Sequence, residues 1–309
     1  MTSDSRLMLL DTASLYFRAF FGVPDSVRSP DGKPVNAVRG LLDFIARLVG
    51  DYQPTHLVCC WDNDWRPQWR VDLLPSYKGH RVVAARPGPT PDIEEVPDPL
   101  EAQIPVIVEV LDALGIAIVG ADGYEADDVI GTLSTGAGMP VDIVTGDRDL
   151  FQLVDDASGV RVLYIAKGVG NHERVTDEVV VGKYAVLPSQ YADFATLRGD
   201  ASDGLPGVAG IGAKTASSLL LTHGDLRGII DAAEDEASGM APGPRKKILT
   251  AEAYLKVAPT VVAVARDIDL GHPDLTCPTE PADPDALAAL AARWGLSSSV
   301  DRVLTALAR

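Results

Sequence analysis

Nine acidic residues, set in five short groups, are the part of this sequence best suited to chemistry. They are Asp11, Asp62, Glu125, Asp127, Asp128, Asp147, Asp149, Asp200 and Asp203. No histidine or cysteine stands within these groups. Sites made only of oxygen ligands suit Mg²⁺ or Mn²⁺, whereas zinc normally recruits nitrogen or sulfur. Two such ions about 3.5–4 Å apart can activate a water and stabilise a leaving oxygen in phosphoryl transfer.

The group around residue 125 cannot bind one ion with all its acids if it is wholly helical. Successive side chains on a helix rotate by about 100°, so Glu125 and Asp128 share a face while Asp127 points elsewhere. Two ions, ligation through water, or a segment that begins in a loop would explain the pattern. The alternative is a solvated acidic face whose acids cap helix N-termini. That alternative fails for all nine together, because clustered like charges cost energy unless a cation is present.

A glycine segment, residues 204–216, is the second candidate feature. Three glycines precede a lysine and a threonine at the start of an apparent helix: Gly207, Gly210, Gly212, Lys214 and Thr215. A turn of this kind between helices can present backbone N–H groups to a phosphate, with Lys214 adding charge. It would read the shape of a nucleic-acid backbone and not its bases. The alternative is a tight helix–helix turn that binds nothing.

A basic insertion follows the second acid, and it lacks long apolar periodicity. Between residues 65 and 86 five basic residues face one acid, Asp72, which gives a local net charge of +4. The basic residues are Arg66, Arg70, Lys78, Arg81 and Arg86. Lys78 and Arg81 could contact a reacting phosphate and offset charge that develops on it. Tyr77, or Phe20 and Phe21, could stack on an unpaired base; core packing is the alternative for these aromatic residues.

The overall charge of −17 is unusual for a protein that binds nucleic acid. Cations bound by the clustered acids, together with local basic patches, would reconcile it. The three cysteines have neither disulfide nor zinc spacing. The first apolar run, at residues 7–10, is too short for a signal core or a membrane span. We therefore expect a soluble cytoplasmic protein with no membrane partner.

Four short apolar runs must position the acids. They cover residues 6–10, 56–61, 116–119 and 141–144, and helical patterns separate them. This alternation predicts an α/β fold with a mostly parallel central sheet flanked by helices. Acids that follow such strands lie at the carboxyl edge of the sheet, where ligands bind in open α/β folds. After about residue 176 the chain reads as helical, and we find no chemistry in its tail from about 245 to 309.

Taken in order, these motifs resemble the 5′ nuclease family, which includes flap endonucleases and the 5′→3′ exonuclease domain of bacterial DNA polymerase I. The matching segments include residues 9–11, 16–20, 61–62, 77–81, 123–128, 145–150, 199–203 and 206–216. The resemblance covers about residues 6 to 220. It implies a PIN-like core at 1–175 with a helical arch inserted at about 65–104. A helical DNA-binding region with a helix–turn–helix, at 176–309, would pack on the core in one compact unit.

The resemblance also implies roles for individual residues. Asp11, Asp62, Glu125 and Asp127 look like ligands of a first divalent ion. Asp128, Asp147, Asp149, Asp200 and Asp203 look like the group around a second, some of them through water. Lys78 and Arg81 would be catalytic, and K⁺ would bind at the glycine segment. The residues expected to contact DNA are Arg18, Phe20, Arg70, Tyr77, Gly207, Gly210, Gly212, Lys214 and Thr215.

The implied activity is that of a free-standing, monomeric, structure-specific DNA 5′ nuclease of replication and repair. It would use two Mg²⁺ or Mn²⁺ ions as exonuclease and flap endonuclease on 5′ flaps, nicks, gaps and 5′ ends, including RNA-containing 5′ strands. One alternative is a DNA-structure-binding protein without catalysis, in which the acids are structural. Another is a PIN-type ribonuclease, a class that generally lacks both the duplex-binding segment and the long arch.

Overall fold

The structure is a computed structural model that describes residues 5–84 and 92–308. Residues 85–91 of the predicted arch, with Arg86 of the basic insertion, lie outside the described residues. The strands are β1 (Leu7–Asp11), β2 (His56–Trp61), β3 (Val82–Ala84), β4 (Ile93–Glu94), β5 (Ala117–Gly120), β6 (Val141–Thr145), β7 (Val160–Tyr164) and β8 (Glu173–Val175). The order of the main sheet is β5-β2-β1-β6-β7-β8, while β3 and β4 form a separate hairpin.

The main sheet is parallel except for β8, which runs antiparallel to β7. All four predicted strands are present, and β1 lies at the centre with all five residues buried. Along β1, Met8 and Leu10 join the core on one face of the sheet, whereas Leu7 and Leu9 join the core on the other. A strand buried on both faces reads as a continuous apolar run, as parallel sheets require. The α/β fold class is therefore confirmed.

Helices cover both faces of the sheet. They are α1 (Thr12–Gly22), α2 (Asn36–Tyr52), α3 (Gln68–Leu73), α4 (Asp98–Glu101), α5 (Ile104–Leu114), α6 (Ala126–Ser134), α7 (Asp177–Tyr184), α8 (Tyr191–Arg198), α9 (Ala213–His223), α10 (Leu226–Glu234), α11 (Pro242–Thr250), α12 (Glu252–Leu255), α13 (Ala258–Val262), α14 (Pro284–Trp294) and α15 (Ser297–Leu307). Helices α2, α5, α14 and α15 share one core, while α6 and α8–α11 contribute to the other.

The tail divides between these two cores. Helices α11–α13 stay with the helical region, whereas α14 and α15 return to the first part of the chain. Helix α15 packs along α2, and Arg302 donates to Asp43 at 2.6 Å. The last two helices thus complete the apolar core of the α/β part.

The described part of the predicted arch is only partly helical. It contains α3, a 3₁₀ turn (Gly79–Arg81), the β3–β4 hairpin and α4. The base of this insertion is anchored, because Tyr77 packs with Leu205 and Val261 in a small apolar cluster. The hairpin was not anticipated from the sequence. No helix in the described part of the chain is long and apolar enough to span a bilayer.

Candidate active site

An open cleft of about 1160 Å³ lies at the carboxyl edge of the sheet. Six of the nine predicted acids line it: Asp11, Asp62, Glu125, Asp127, Asp147 and Asp200. Lys78, Arg81 and Arg18 line it as well. Residues that are far apart in sequence therefore meet at one site, because the parallel strands all end at this edge.

Asp11 links two strand ends. It is the last residue of β1, and one carboxylate oxygen accepts from the Ser14 amide at 3.1 Å, which caps α1. The other oxygen accepts from the Thr145 hydroxyl at 2.6 Å, at the end of the neighbouring strand β6. The Thr145 hydroxyl oxygen also accepts from the Asp147 amide at 2.8 Å. The first and fourth acidic groups are thus held in register by one threonine.

Asp62 and Glu125 meet at the N-terminus of α6. Asp62 accepts from the Ala126 amide at 2.7 Å, and Glu125 is the N-cap residue, with extended backbone. The segment therefore begins outside the helix, so Glu125 is free of the helical spacing assumed from the sequence. Burial raises the pKa of Asp62 to about 7, although the Ala126 amide and Lys78 act in the opposite direction.

Lys78 reaches into the cleft from the base of the insertion. Its Nζ lies 2.5 Å from Glu125 Oε2, and its amide donates to the Asp203 carbonyl at 2.9 Å. Its backbone is left-handed, with φ of 47°. Burial lowers the pKa of Lys78, but the attraction of Glu125 and neighbouring acids outweighs it and holds that pKa well above the ordinary value. Lys78 therefore stays charged within the cleft.

Four further aspartates form the other side of the site. The Asp149 amide donates to Asp147 at 2.9 Å, directly after β6. Asp200 accepts from Arg198 at 3.1 Å, and Asp203 accepts from Arg81 at 3.3 Å. Asp149 and Asp203 do not line the cleft themselves, yet both interact electrostatically with Asp147 and Asp200.

Burial raises the pKa of Asp127, Asp147, Asp149 and Asp203, and the charge of neighbouring acids adds to each rise. The cluster is therefore short of positive charge, which bound divalent cations would supply. An all-oxygen donor set of this size fits Mg²⁺ or Mn²⁺.

The carboxylates are not yet arranged as ligands. Within residues 5–84 and 92–308, no three histidine, cysteine, aspartate or glutamate side chains are placed so that they could hold one ion as they stand. Several have other partners, since Asp11 accepts from Thr145 and Glu125 from Lys78. Ion binding would require these side chains to exchange such contacts for the ion.

Asp128, which was expected in the group around the second ion, lies outside the cleft. Its two oxygens each accept from Arg70 at 2.7 Å, and they also accept from the Ala265 and Glu125 amides at 2.8 and 3.2 Å. It is fully buried and does not line the cleft. We therefore assign Asp128 to a capping and ion-pairing position, because Arg70 and two amides already satisfy its carboxylate.

Two residues expected to contact DNA are buried in the same network. Arg70 is 2% exposed, and besides Asp128 it binds the Val261 carbonyl at 3.0 Å. Tyr77 is 4% exposed, and its hydroxyl donates to Glu125 at 2.8 Å. Neither can meet DNA directly in this arrangement. Both instead contact Glu125, since Arg70 Nη1 also lies 3.4 Å from Glu125 Oε1.

The aromatic residues of α1 also differ from expectation. Phe20 packs at the edge of the core, whereas Phe17 and Phe21 line the cleft, and Phe21 is 73% exposed. Residues four apart on a helix share a face, so Phe17 and Phe21 point the same way. Arg18 lies beside them and donates to the Ala166 carbonyl at 3.1 Å. The four-residue spacing of Phe17 and Phe21 on a predicted helix was the sequence signal that could have identified this pair.

The glycine segment forms a turn that leads into α9. Gly207 has φ of +67°, and a Cβ there would lie 2.6 Å from the Arg198 carbonyl, so only glycine fits. Gly212 is the N-cap of α9 and provides no side-chain cap. Lys214 is exposed and Thr215 partly buried in the first turn of the helix. None of these residues lines the cleft.

The sequence analysis missed a basic segment that the fold brings to this turn. Arg245, Lys246 and Lys247 are consecutive in α11, and Lys247 Nζ donates to the Gly210 carbonyl at 2.8 Å. Three adjacent basic residues were the available signal. They lie in the tail for which no chemistry was expected.

A mostly parallel sheet with an acidic cleft at its carboxyl edge, followed by a helical region, is the arrangement expected of a 5′ nuclease, and the family models agree with it. The 5′-3′ exonuclease N-terminal resolvase-like domain matches residues 6–185, and the 5′-3′ exonuclease C-terminal SAM fold matches residues 186–285. The chain belongs to the 5′-3′ exonuclease family. The family and the nuclease activity expected from the motifs are confirmed.

Two curated relatives are similar to this chain over nearly its whole length. A 5′-3′ exonuclease of Streptomyces coelicolor is 63% identical over 300 residues, covering 97% of this chain and 99% of that protein. One of Mycobacterium tuberculosis is 51% identical over 312 residues, covering 98% of each. The bacteriophage T5 flap endonuclease, solved with DNA and metal ions, has a similar fold at 18% identity. Its TM-score is 0.64, with 98% of this chain and all of that chain covered.

Proposed function

We propose that the chain cuts DNA at 5′ flaps, nicks, gaps and free 5′ ends, as both 5′→3′ exonuclease and flap endonuclease. The observation that carries this proposal is the shared cleft, where six acids from five separate segments of the chain meet Lys78 and Arg81. The T5 flap endonuclease with DNA and metal ions has the same fold, which supports a DNA substrate.

Two divalent cations, Mg²⁺ or Mn²⁺, would bind between two groups of carboxylates. Asp11, Asp62, Glu125 and Asp127 form the first group. Asp147, Asp149, Asp200 and Asp203 form the second. When bound, such ions activate a water and stabilise the attacking and leaving oxygens of a phosphate. We leave Asp128 out of both groups because its oxygens face Arg70.

Lys78 and Arg81 would hold the reacting phosphate. Lys78 is fixed at both ends, by its amide on Asp203 and by its ammonium on Glu125. Arg81 binds the Ser202 carbonyl at 2.8 Å and points toward the same cleft. Both can donate charge-assisted hydrogen bonds to phosphate oxygens and so stabilise charge in the transition state.

The unpaired 5′ strand would run along the wall formed by α1. Phe17 and Phe21 offer aromatic surface, and Arg18 offers positive charge. Stacking on aromatic rings tolerates any base, which suits an enzyme that selects DNA by its structure. We propose these residues for the strand contacts first expected of Phe20, Tyr77 and Arg70.

The double-stranded part of the substrate would lie against the turn before α9. The first amides of α9 receive no side-chain cap, and Lys214 is exposed beside them, so this end of the helix suits a phosphate. We propose that the DNA-binding region begins at about residue 176 and that this turn makes its contacts with the duplex. Helices α14 and α15 instead stabilise the α/β part.

A K⁺ ion does not fit the Gly210 carbonyl as it stands. Lys247 Nζ donates to that carbonyl at 2.8 Å, and the ammonium would have to leave before K⁺ could bind. We therefore assign no role to K⁺ at this position.

An enzyme of this kind would act as a monomer in DNA replication and repair, including on RNA-containing 5′ strands. We propose a cytoplasmic location because its substrate is there, and because Cys59 and Cys60 are buried unpaired thiols, typical of a reducing compartment.

The test is cleavage of a 5′-flap duplex labelled at its 5′ end. We expect products with Mg²⁺ or Mn²⁺, none with excess chelator, and recovery when Mg²⁺ is restored. An all-RNA duplex of the same sequence should be cut poorly, whereas an RNA flap on DNA should be accepted. A protein that binds the flap but gives no metal-dependent product would be a non-catalytic DNA binder. Preference for the all-RNA duplex would indicate a PIN-type ribonuclease.

A further inference from the structure

Helix α11 presents basic residues beside the glycine turn, on a surface to which the proposed function assigns no role. Lys247 lies directly over Gly210, since a Cβ added there would be 3.1 Å from Lys247 Nζ. Lys246 precedes it and lines a groove of about 400 Å³ on the outer side of α11. We call Lys214, Lys246 and Lys247 the basic edge. The contact at Gly210 joins two segments that are more than 30 residues apart in sequence.

The charges of the basic edge are largely uncompensated. Among the residues that the structure describes, Lys214 and Lys246 have no ion pair and no side-chain hydrogen bond. Within residues 5–84 and 92–308, the Lys247 ammonium has one hydrogen-bond partner, the Gly210 carbonyl. By contrast, the exposed residues Lys183 and Lys256 are paired with Glu173 and Glu252.

Arg245 has a different task. Its guanidinium donates to the carbonyls of Glu234 and Asp235, at 3.3 Å each, and so holds α11 against the end of α10. The orientation of α11 is thus fixed by Arg245 at one end and by Lys247 on the turn. A fixed helix with free ammonium groups suits a partner that carries a regular array of negative charge, such as the backbone of duplex DNA.

We propose that Lys246 and Lys247 extend the glycine turn into one continuous surface for the phosphate backbone of the duplex, beyond the nucleotides that the turn itself contacts. This inference rests on the proposed function, since it requires a substrate with a double-stranded arm. Each phosphate contact should contribute about 0.9 to the slope of log affinity against log salt concentration. The contribution of α11 should appear only when the duplex is long enough to reach it.

The experiment measures binding of flap substrates with short and long duplex arms by fluorescence anisotropy, in EDTA, across a salt series. For the long arm, Lys246→Ala should make the plot of log affinity against log salt concentration less steep by about one unit. The Lys246→Ala/Lys247→Ala double variant should make it less steep by about two units. Neither should change the slope for the short arm. Lys183→Ala/Lys256→Ala is the matched control, because it removes the same charge from exposed lysines that already have partners.

Equal slopes for the wild type and the α11 variants on the long arm would overturn the proposal. An equal loss in the control double variant would also overturn it, since net charge alone would then explain the effect. Lys246→Ala keeps the contact at Gly210, so its result does not depend on the fold of the turn. Mg²⁺-dependent cleavage of the short-armed flap by the wild type tests the proposed function separately, and it should persist at the same rate in the variants.

Discussion

The acidic cleft and the basic edge use charge in opposite ways. In the cleft, carboxylates are partly or fully buried and most have hydrogen-bonding partners such as Thr145 and Lys78. At the basic edge, Lys214 and Lys246 are exposed and have no partner among the described residues. Crowded acids raise one another's pKa and call for cations, whereas free ammonium groups are ready for phosphate. A net charge of −17 thus coexists with a locally basic surface that would meet DNA.

The largest expected effect comes from removing one charge in the cleft. Asp127→Asn keeps the shape of the side chain but removes a ligand, so we expect the single-turnover cleavage rate to fall by about 10³-fold, as when a key electrostatic contact is lost. Flap binding should stay near the wild-type level, because the basic edge is intact. Asp122→Asn is the control, since Asp122 is exposed and outside the cleft. Undiminished cleavage by Asp127→Asn would show that the acidic cleft is not the site of cleavage.

Variants at Asp128 and Arg70 test whether Asp128 is a metal ligand or only a structural ion-pair partner. Breaking a buried pair leaves an unpaired charge at a cost of about 3–5 kcal/mol, so Arg70→Met should lower the free energy of unfolding by that amount. Asp128→Asn should also destabilise the protein. At temperatures where Asp128→Asn remains folded, however, its activity should require the same Mg²⁺ concentration as the wild type. A large rise in the Mg²⁺ requirement would return Asp128 to the set of metal ligands.

The sequence motifs predicted the α/β fold. They also predicted the position of the cleft, because the strands of a parallel sheet all end at one edge. Asp11, Asp62 and Asp147 each follow an apolar run, so their meeting needs only the topology of the sheet. The role of Asp128 was not predictable in this way. It depends on Arg70, whose approach from the insertion is a long-range contact without a local signal.

The same limit explains the residues that sequence reasoning missed. Phe21 is distinguished from Phe20 only by which face of α1 the core covers. Lys247 matters because α11 folds back onto Gly210, and nothing in the tail's composition shows that return. Buried sites can thus be read from strand order, but exposed surfaces require the tertiary packing.

A substitution in the glycine turn beneath the basic edge should have a smaller and local effect on stability and duplex binding. Gly207→Ala places a Cβ at 2.6 Å from the Arg198 carbonyl, with φ of +67°, and such backbone strain costs about 1–3 kcal/mol. We expect weaker duplex binding and a lower melting temperature. Gly212→Ala is the matched change, since a Cβ there meets no atom within 4 Å. Similar losses in both variants would mean that steric fit at Gly207 is not what shapes the turn.

The buried carboxylates of the cleft also predict a pH dependence of stability in the metal-free protein. Folding raises the pKa of Asp62 from 3.8 to about 7 through burial, and Asp127 and Asp149 shift in the same direction. Below pH 4 these groups are protonated in both the folded and unfolded states. As the pH rises above 4, the unfolded chain releases these protons while the folded protein retains them. The metal-free enzyme should therefore lose stability up to about pH 7, where Asp62 titrates in the folded protein, and Asp127 and Asp149 should add to the loss.

Added Mg²⁺ should reverse this loss, and more strongly at pH 8 than at pH 5, because protons compete for the carboxylates at the lower pH. At about ten times its Kd, Mg²⁺ should stabilise the protein by about 1.4 kcal/mol at pH 8. That corresponds to a rise in melting temperature of a few degrees, measurable by calorimetry. Asp127→Asn should reduce the rise, whereas Lys246→Ala should leave it unchanged. An equal stabilisation by Mg²⁺ at pH 5 and pH 8 would show that the ion does not bind to these carboxylates.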